Sequence, residues 1–107
     1  MSDRNPDPAA TELLRQEFDL PRGSLTEAEL LEWLSARVAE LLRLRPEYLM
    51  SLCYTLDLPE AEVNAAMEPA GEAPHRALAA LLYRRQCLRV RTKRAYRSEP
   101  LTDPDAW

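Results

Sequence analysis

The sequence predicts an all-α protein, a small bundle of four main helices over about 26–45, 46–57, 59–68 and 74–97, with a short N-terminal helix as an optional fifth. Three observations lead there. Ala, Leu, Arg and Glu abound while only two glycines occur, and those side chains lose little freedom on entering a helix. Apolar residues recur at helical spacing, with no strand-like alternation. The nine prolines fall between the periodic segments and punctuate them. A hydrophobic content of 46% argues against wholesale disorder, and 107 residues suffice for one modest core without metal or disulfide staples. The expected organisation is a flexible N-terminus over 1–7, a single helical domain over 8–97 and a flexible acidic tail over 98–107.

In chain order, PAATELLRQEF from Pro8 can form the short helix, with Asp7 before it and Pro8 at a tolerated early position. Leu13, Leu14 and Phe18 make a face so small that this helix forms only when docked. Leu20-Pro21-Arg22-Gly23 breaks the pattern. Thr26 and Glu29 then compose a capping box, with Leu25 and Leu30 at the staple positions. The helix that follows carries Leu30, Leu31, Leu34, Val38, Leu41 and Leu42 on its stripe, and Trp33 is expected to anchor the packing. Arg43 and Arg45 complement the dipole of the last turn, and Pro46 stops the helix and opens the next.

That next helix, PEYLMSLCYTL, places Tyr48, Leu49, Leu52, Cys53 and Leu56 on one face. Asp57 and Glu60 offer a second capping box before PEAEVNAAM, whose short apolar face is Val63, Ala66 and Met67. Glu68 to Ala73 reads as a loop. Pro74 starts the last and longest helix. The core expected from these stripes is Leu34, Val38, Leu41, Leu52, Leu56, Leu78, Leu81 and Leu88.

The stretch Leu49 to Met67 resembles the helix-turn-helix pattern of DNA-binding repressors. Cys53 stands at the small-residue site of the first helix, Leu56 and Leu58 flank the turn, and Val63 occupies the buried site of the second. The turn departs from the family in having Asp57 where glycine is usual, and the resemblance covers about a fifth of the chain. Such a likeness implies duplex-DNA reading, which needs base-edge donors and cations beside the phosphates. The second helix instead carries Glu60, Glu62 and Glu68, with Asn64 as its one base-reading side chain, so DNA recognition ranks last among the functions considered. Two helices packed at a sharp turn account for the pattern.

No motif for catalysis, metal binding or a cofactor is found. Cys53 and Cys87 lie inside predicted helices and read as unpaired core thiols. The single histidine, His75, has no sequence-local carboxylate or cysteine, and a structural or solvated role is the simpler one. The reading is therefore not an enzyme. No apolar run approaches bilayer length and MSDRNPDPAA lacks an apolar signal core, so a cytoplasmic protein without a membrane contact is expected.

Charge carries the functional signal. Residues 1–72 hold 15 acids and 6 bases, residues 73–98 hold 8 bases and no acid, and residues 99–107 hold 3 acids, for the overall −4. The chain is a charge dipole. Within helix 74–97 the segment to Val90 is apolar on two sides, one face of Ala77, Leu78, Leu81, Leu82 and Leu88 and another of Ala80, Tyr83, Cys87 and Val90. Beyond Val90 it turns basic. At 1.5 Å per residue the helix spans about 36 Å, against a radius of gyration of about 13 Å for a domain of this size, so its last two turns reach the edge of the body. The simplest account is a solvated end balanced by the protein's own carboxylates. The first functional reading is a non-catalytic interaction or regulatory module that contacts an acidic protein partner, or a second copy in a homo-oligomer, through Arg84, Arg85, Arg89, Arg91, Lys93, Arg94, Tyr96 and Arg97. RNA or another polyanion, with Tyr96 available for stacking, is the second.

Overall fold

The computed structural model describes residues 4–68 and 73–98. It contains five helices, α1 (Pro8–Phe18), α2 (Glu27–Leu44), α3 (Pro46–Thr55), α4 (Glu60–Ala66) and α5 (Pro74–Ser98), and no strand among the described residues. The four main helices and the N-terminal fifth stand where the periodicity places them. α2 and α5 are the long pair and share the largest interface; α3 packs on α2, α4 on α5, and α1 on both long helices.

α1 exists because both ends are capped and its inner face is docked. The Asp7 carboxylate accepts from the backbone N–H groups of Ala9 and Ala10 at 2.9 and 3.1 Å, satisfying donors that have no partner within the helix. Ala10, Leu14 and Phe18 are completely or almost completely buried. The expected Leu13–Leu14–Phe18 face is shifted, since Ala10 and Thr11 turn inward while Leu13 is 38% exposed. Residues ahead of α1 are tied down as well. The Asp7 N–H donates to the Tyr83 hydroxyl at 3.1 Å and the Glu27 N–H to the Arg4 carbonyl at 2.8 Å. Residues 1–3 of the expected flexible N-terminus lie outside the described residues.

α2 begins with the capping box read from the sequence: the Glu29 N–H donates to Thr26 Oγ1 and the Thr26 N–H to the Glu29 carboxylate. Leu30, Leu34 and Val38, spaced by four, form a strip fully removed from water. Trp33 does not anchor the packing. It is 48% exposed, because the buried strip against α5 is narrow and Trp33 stands a 100° step around the helix from Leu34. Leu41, expected in the core, is half-buried and packs against its edge.

α1 and α3 end in the same way, on an aspartate with left-handed backbone: Asp19 at φ 56° and Asp57 at φ 67°. After α3 the Leu58 N–H donates to the Cys53 carbonyl and the Asp57 N–H to the Tyr54 carbonyl, both at 3.0 Å. These are the two bonds of a Schellman ending, in which glycine is the common left-handed residue. Asp57 therefore stands where glycine is usual and adopts the backbone that glycine supplies, which short polar side chains tolerate. The expected capping box of Asp57 and Glu60 does not form. Pro59 is the residue before α4, no side chain caps that helix, and the Asp57 carboxylate turns to Arg85 instead. Cys53, Leu56, Leu58 and Val63 are all buried around the turn.

Candidate partner-binding surface

α5 spans 25 residues, about 37 Å at 1.5 Å per residue, and is the element on which α1, α2 and α4 all pack. Its Ala73 lead-in carbonyl accepts from the N–H groups of Arg76 and Ala77, both at 3.0 Å. Leu78, Ala79, Leu81, Leu82, Tyr83, Gln86 and Val90 are buried. At 100° per residue they occupy one broad sector, and α1, α2 and α4 together account for its width. The Tyr83 hydroxyl accepts from Asp7 at the start of α1, and burial pushes its phenol well above the ordinary tyrosine range. Burial likewise raises the thiols of Cys87 beside it and of Cys53 in α3, the latter to about 11. Both thiols are therefore neutral at physiological pH.

Two polar side chains of α5 finish the end of α3. Gln86, fully buried, donates from Nε2 to the Leu56 carbonyl at 3.0 Å. Arg85 donates from Nε to the Asp57 carbonyl at 2.9 Å, and its Nη2 stands 3.0 Å from Asp57 Oδ2. The Leu56 and Asp57 carbonyls, just past the end of α3, thus find donors across the bundle.

The basic residues expected to form one surface are divided by the structure. Arg85 is engaged at the α3–α4 turn, Arg89 donates to Gln86 Oε1 at 3.0 Å, and Arg94 lies 3.7 Å from the Asp7 carboxylate. Arg84, Arg91 and Lys93 are exposed and form no ion pair with a described residue. Tyr96 and Arg97 belong to α5, but their side chains lie outside the described residues. Lys93 points about 180° around the helix from Arg84, towards α1, so the three exposed cations do not share a face.

Leu88 is the main correction to the expected core, being 45% exposed. It projects within about 20° of Leu81, which is buried, so its periodicity is that of a core residue. The neighbours run out before it. α4 packs on α5, with Glu62, Ala65 and Ala66 and, opposite them, Ala77, Ala80, Leu81 and Arg84 lining a shallow groove along the seam, and the α3–α4 turn reaches Arg85 and Gln86. One turn further on, this side of α5 is uncovered. Arg84, Leu88, Arg91 and Ala95 consequently form an exposed strip at i, i+4, i+7 and i+11, an accessible leucine between two unengaged arginines. Sequence reasoning missed Leu88 as a surface residue because its signal is the length of α4, not the pattern of α5.

The helix-turn-helix-like stretch presents different chemistry. α4 exposes Glu60, Ala61, Glu62, Asn64 and Ala65, and a groove between α3 and α4 is lined by Met50, Tyr54, Glu60, Val63 and Asn64. Carboxylates stand on the face that would meet a phosphate backbone. Among the described residues, no group of three or more His, Cys, Asp or Glu side chains could hold a metal ion, and no helix is long and apolar enough to cross a membrane. No protein family, curated protein or solved structure matches the chain.

Proposed function

We propose that the protein is a non-catalytic interaction module whose α5 docks on an acidic protein surface, in a partner or in a second copy. The observation that supports this reading is the Arg84–Leu88–Arg91 strip. Leu88 is a large aliphatic side chain left half in water beside two cations that no described carboxylate engages. An apolar centre edged by arginine is the composition of an interface core, where arginine stems cover apolar surface while the guanidinium groups select acidic partners. Arg85 and Arg89, included in the sequence-based surface, act mainly within the fold on this reading.

The test uses the full chain with a labelled amphipathic helical peptide whose leucines at i and i+4 are flanked by glutamates, and a single-stranded oligouridine of equal charge. Association with the peptide is expected at low salt and should weaken as salt rises. Leu88→Ser and the Arg84→Glu/Arg91→Glu pair should each lower affinity by about tenfold, the scale of a loss near 1.4 kcal/mol, with the far-ultraviolet circular dichroism unchanged. Light scattering in the same buffers identifies a second copy as the partner if a dimer forms and Leu88→Ser dissolves it. Absence of both peptide binding and self-association at low salt would sink the proposal. Tighter binding to oligouridine would replace it with a polyanion reading.

A further inference from the structure

The opposite side of α5 carries a second feature that the strip does not use. Ala9, Glu12, Leu13 and Gln16 of α1 and Val90, Lys93 and Arg94 of α5 line an open groove of about 530 Å³. Leu13 is 38% exposed along it and Val90 closes its floor. Its one carboxylate, Glu12, is held 3.0 Å from Arg15, while Lys93 has no ion-pair partner among the described residues. The groove is thus apolar below and cationic on its α5 rim, and its volume falls within the roughly 300–1,000 Å³ typical of binding clefts.

We infer that this groove is the docking site for the chain's own segment 99–107, EPLTDPDAW. That segment, which lies outside the described residues, has the complementary composition: Glu99, Asp103 and Asp105 provide three negative charges, and Leu101 and Trp107 provide apolar surface. Connectivity permits it. α5 ends at Ser98, and Val90 lies about 12 Å back along the axis at 1.5 Å per residue. Nine extended residues cover about 30 Å, which leaves length for the chain to reverse after Ser98. Tethering also favours the intramolecular contact, because a short linker supplies an effective concentration in the millimolar range. Docked there, the segment straps the end of α5 to α1 and neutralises the Lys93 side, and the Arg84–Leu88–Arg91 strip is left as the accessible basic face.

The test exploits the two tryptophans. In the full chain carrying Trp33→Phe, Trp107 is the sole tryptophan, and its quenching by acrylamide reports whether it is covered. Quenching about threefold weaker than that of the free nonapeptide EPLTDPDAW is expected at low salt, rising towards the peptide's value in 1 M salt as screening shortens to about 3 Å. Lys93→Glu and Leu13→Asp, both at exposed positions, should release Trp107 with the helical circular dichroism intact. Quenching equal to that of the free peptide at low salt would overturn the proposal. So would shielding that disappears on dilution through the micromolar range, which would assign the segment to a second copy. Leu88→Ser must leave the quenching unchanged, so loss of peptide binding at the strip and loss of the strap are separate results.

Discussion

Gln86 tests whether α3 depends on α5 for its ending. Its side chain is completely buried, its Nε2 donates to the Leu56 carbonyl at 3.0 Å, and its Oε1 accepts from Arg89. Gln86→Leu keeps the approximate volume and removes both bonds. A buried carbonyl stripped of its donor costs about 1–3 kcal/mol, and burial of the leucine's extra apolar surface returns about 0.8 kcal/mol per CH₂ equivalent. The expected net loss is about 1–2 kcal/mol. With a urea slope near 1–2 kcal/mol/M for a small domain, the midpoint should fall by about 1 M at unchanged slope.

Gln86→Glu sharpens the same experiment through pH. When protonated, the introduced carboxyl can donate to the Leu56 carbonyl as the amide does; when ionised it cannot, and it is buried against an oxygen. Its folded pKa should therefore lie above that of an unfolded glutamate, with Arg89 beside it moderating the rise. Stability is then retained below the unfolded value and lost as pH climbs through the folded one. Urea midpoints of Gln86→Leu within the equivalent of about 0.5 kcal/mol of the parent, the range of an uninvolved surface change, would refute the assignment. So would a Gln86→Glu variant whose deficit does not grow between pH 4 and pH 7.

Other substitutions separate the core from its edges. Leu34→Ala, in the sealed strip of α2, should cost about 2–5 kcal/mol, whereas Leu88→Ala should cost less than about 1 kcal/mol; equal losses in chemical denaturation would contradict the exposure of Leu88. Thr26→Ala removes the capping-box oxygen that accepts from Glu29 and should lower stability by about 1 kcal/mol, read from the same curves. Because burial raises the Cys53 thiol from its ordinary 9.0 to about 11, its contribution is complete below pH 9 and is lost between pH 9 and 11, where the unfolded chain ionises first. Cys53→Ala should lessen the fall in urea midpoint from pH 8 to pH 10, with Tyr83 and Cys87, shifted the same way, accounting for the remainder.

The fold was legible because its determinants are local. Thr26 and Glu29 meet within one turn, Pro46 and Pro74 mark helix starts, and the Leu30–Leu34–Val38 spacing repeats faithfully enough to define a face. What could not be read depended on how far a neighbour extends. Leu88 has the phase of a core leucine, and only the end of α4 exposes it. Trp33 has the composition of an anchor, but the interface of α2 is too narrow to reach it. Asp57 resembled a cap in sequence, yet its carboxylate bonds to Arg85, a contact that requires α5 to be in place. The same holds for the surface: the basic run was legible as a group, and the division of its six described cations among internal bonds, the strip and the α1 groove depends on which helix lies beside each.

That division limits what charge alone can do in recognition. The exposed Arg76–Glu32 pair is worth at most about 1 kcal/mol in water, so a partner's carboxylates could exchange for it at little cost, and Arg84, Arg91 and Lys93 stand on opposite sides of α5 with no ion pair to a described residue. An acidic surface would then be attracted to α5 from several directions without being held in one orientation. Charges of this kind accelerate encounter, and desolvated apolar contacts set the residence time. Of the described residues on the uncovered basic side of α5, Leu88 is the one large apolar group. Specificity on this surface should therefore follow Leu88 more closely than any single arginine: its removal should increase dissociation rates at all salt concentrations, whereas charge reversal at Arg84 or Arg91 should act mainly on association and fade as salt rises.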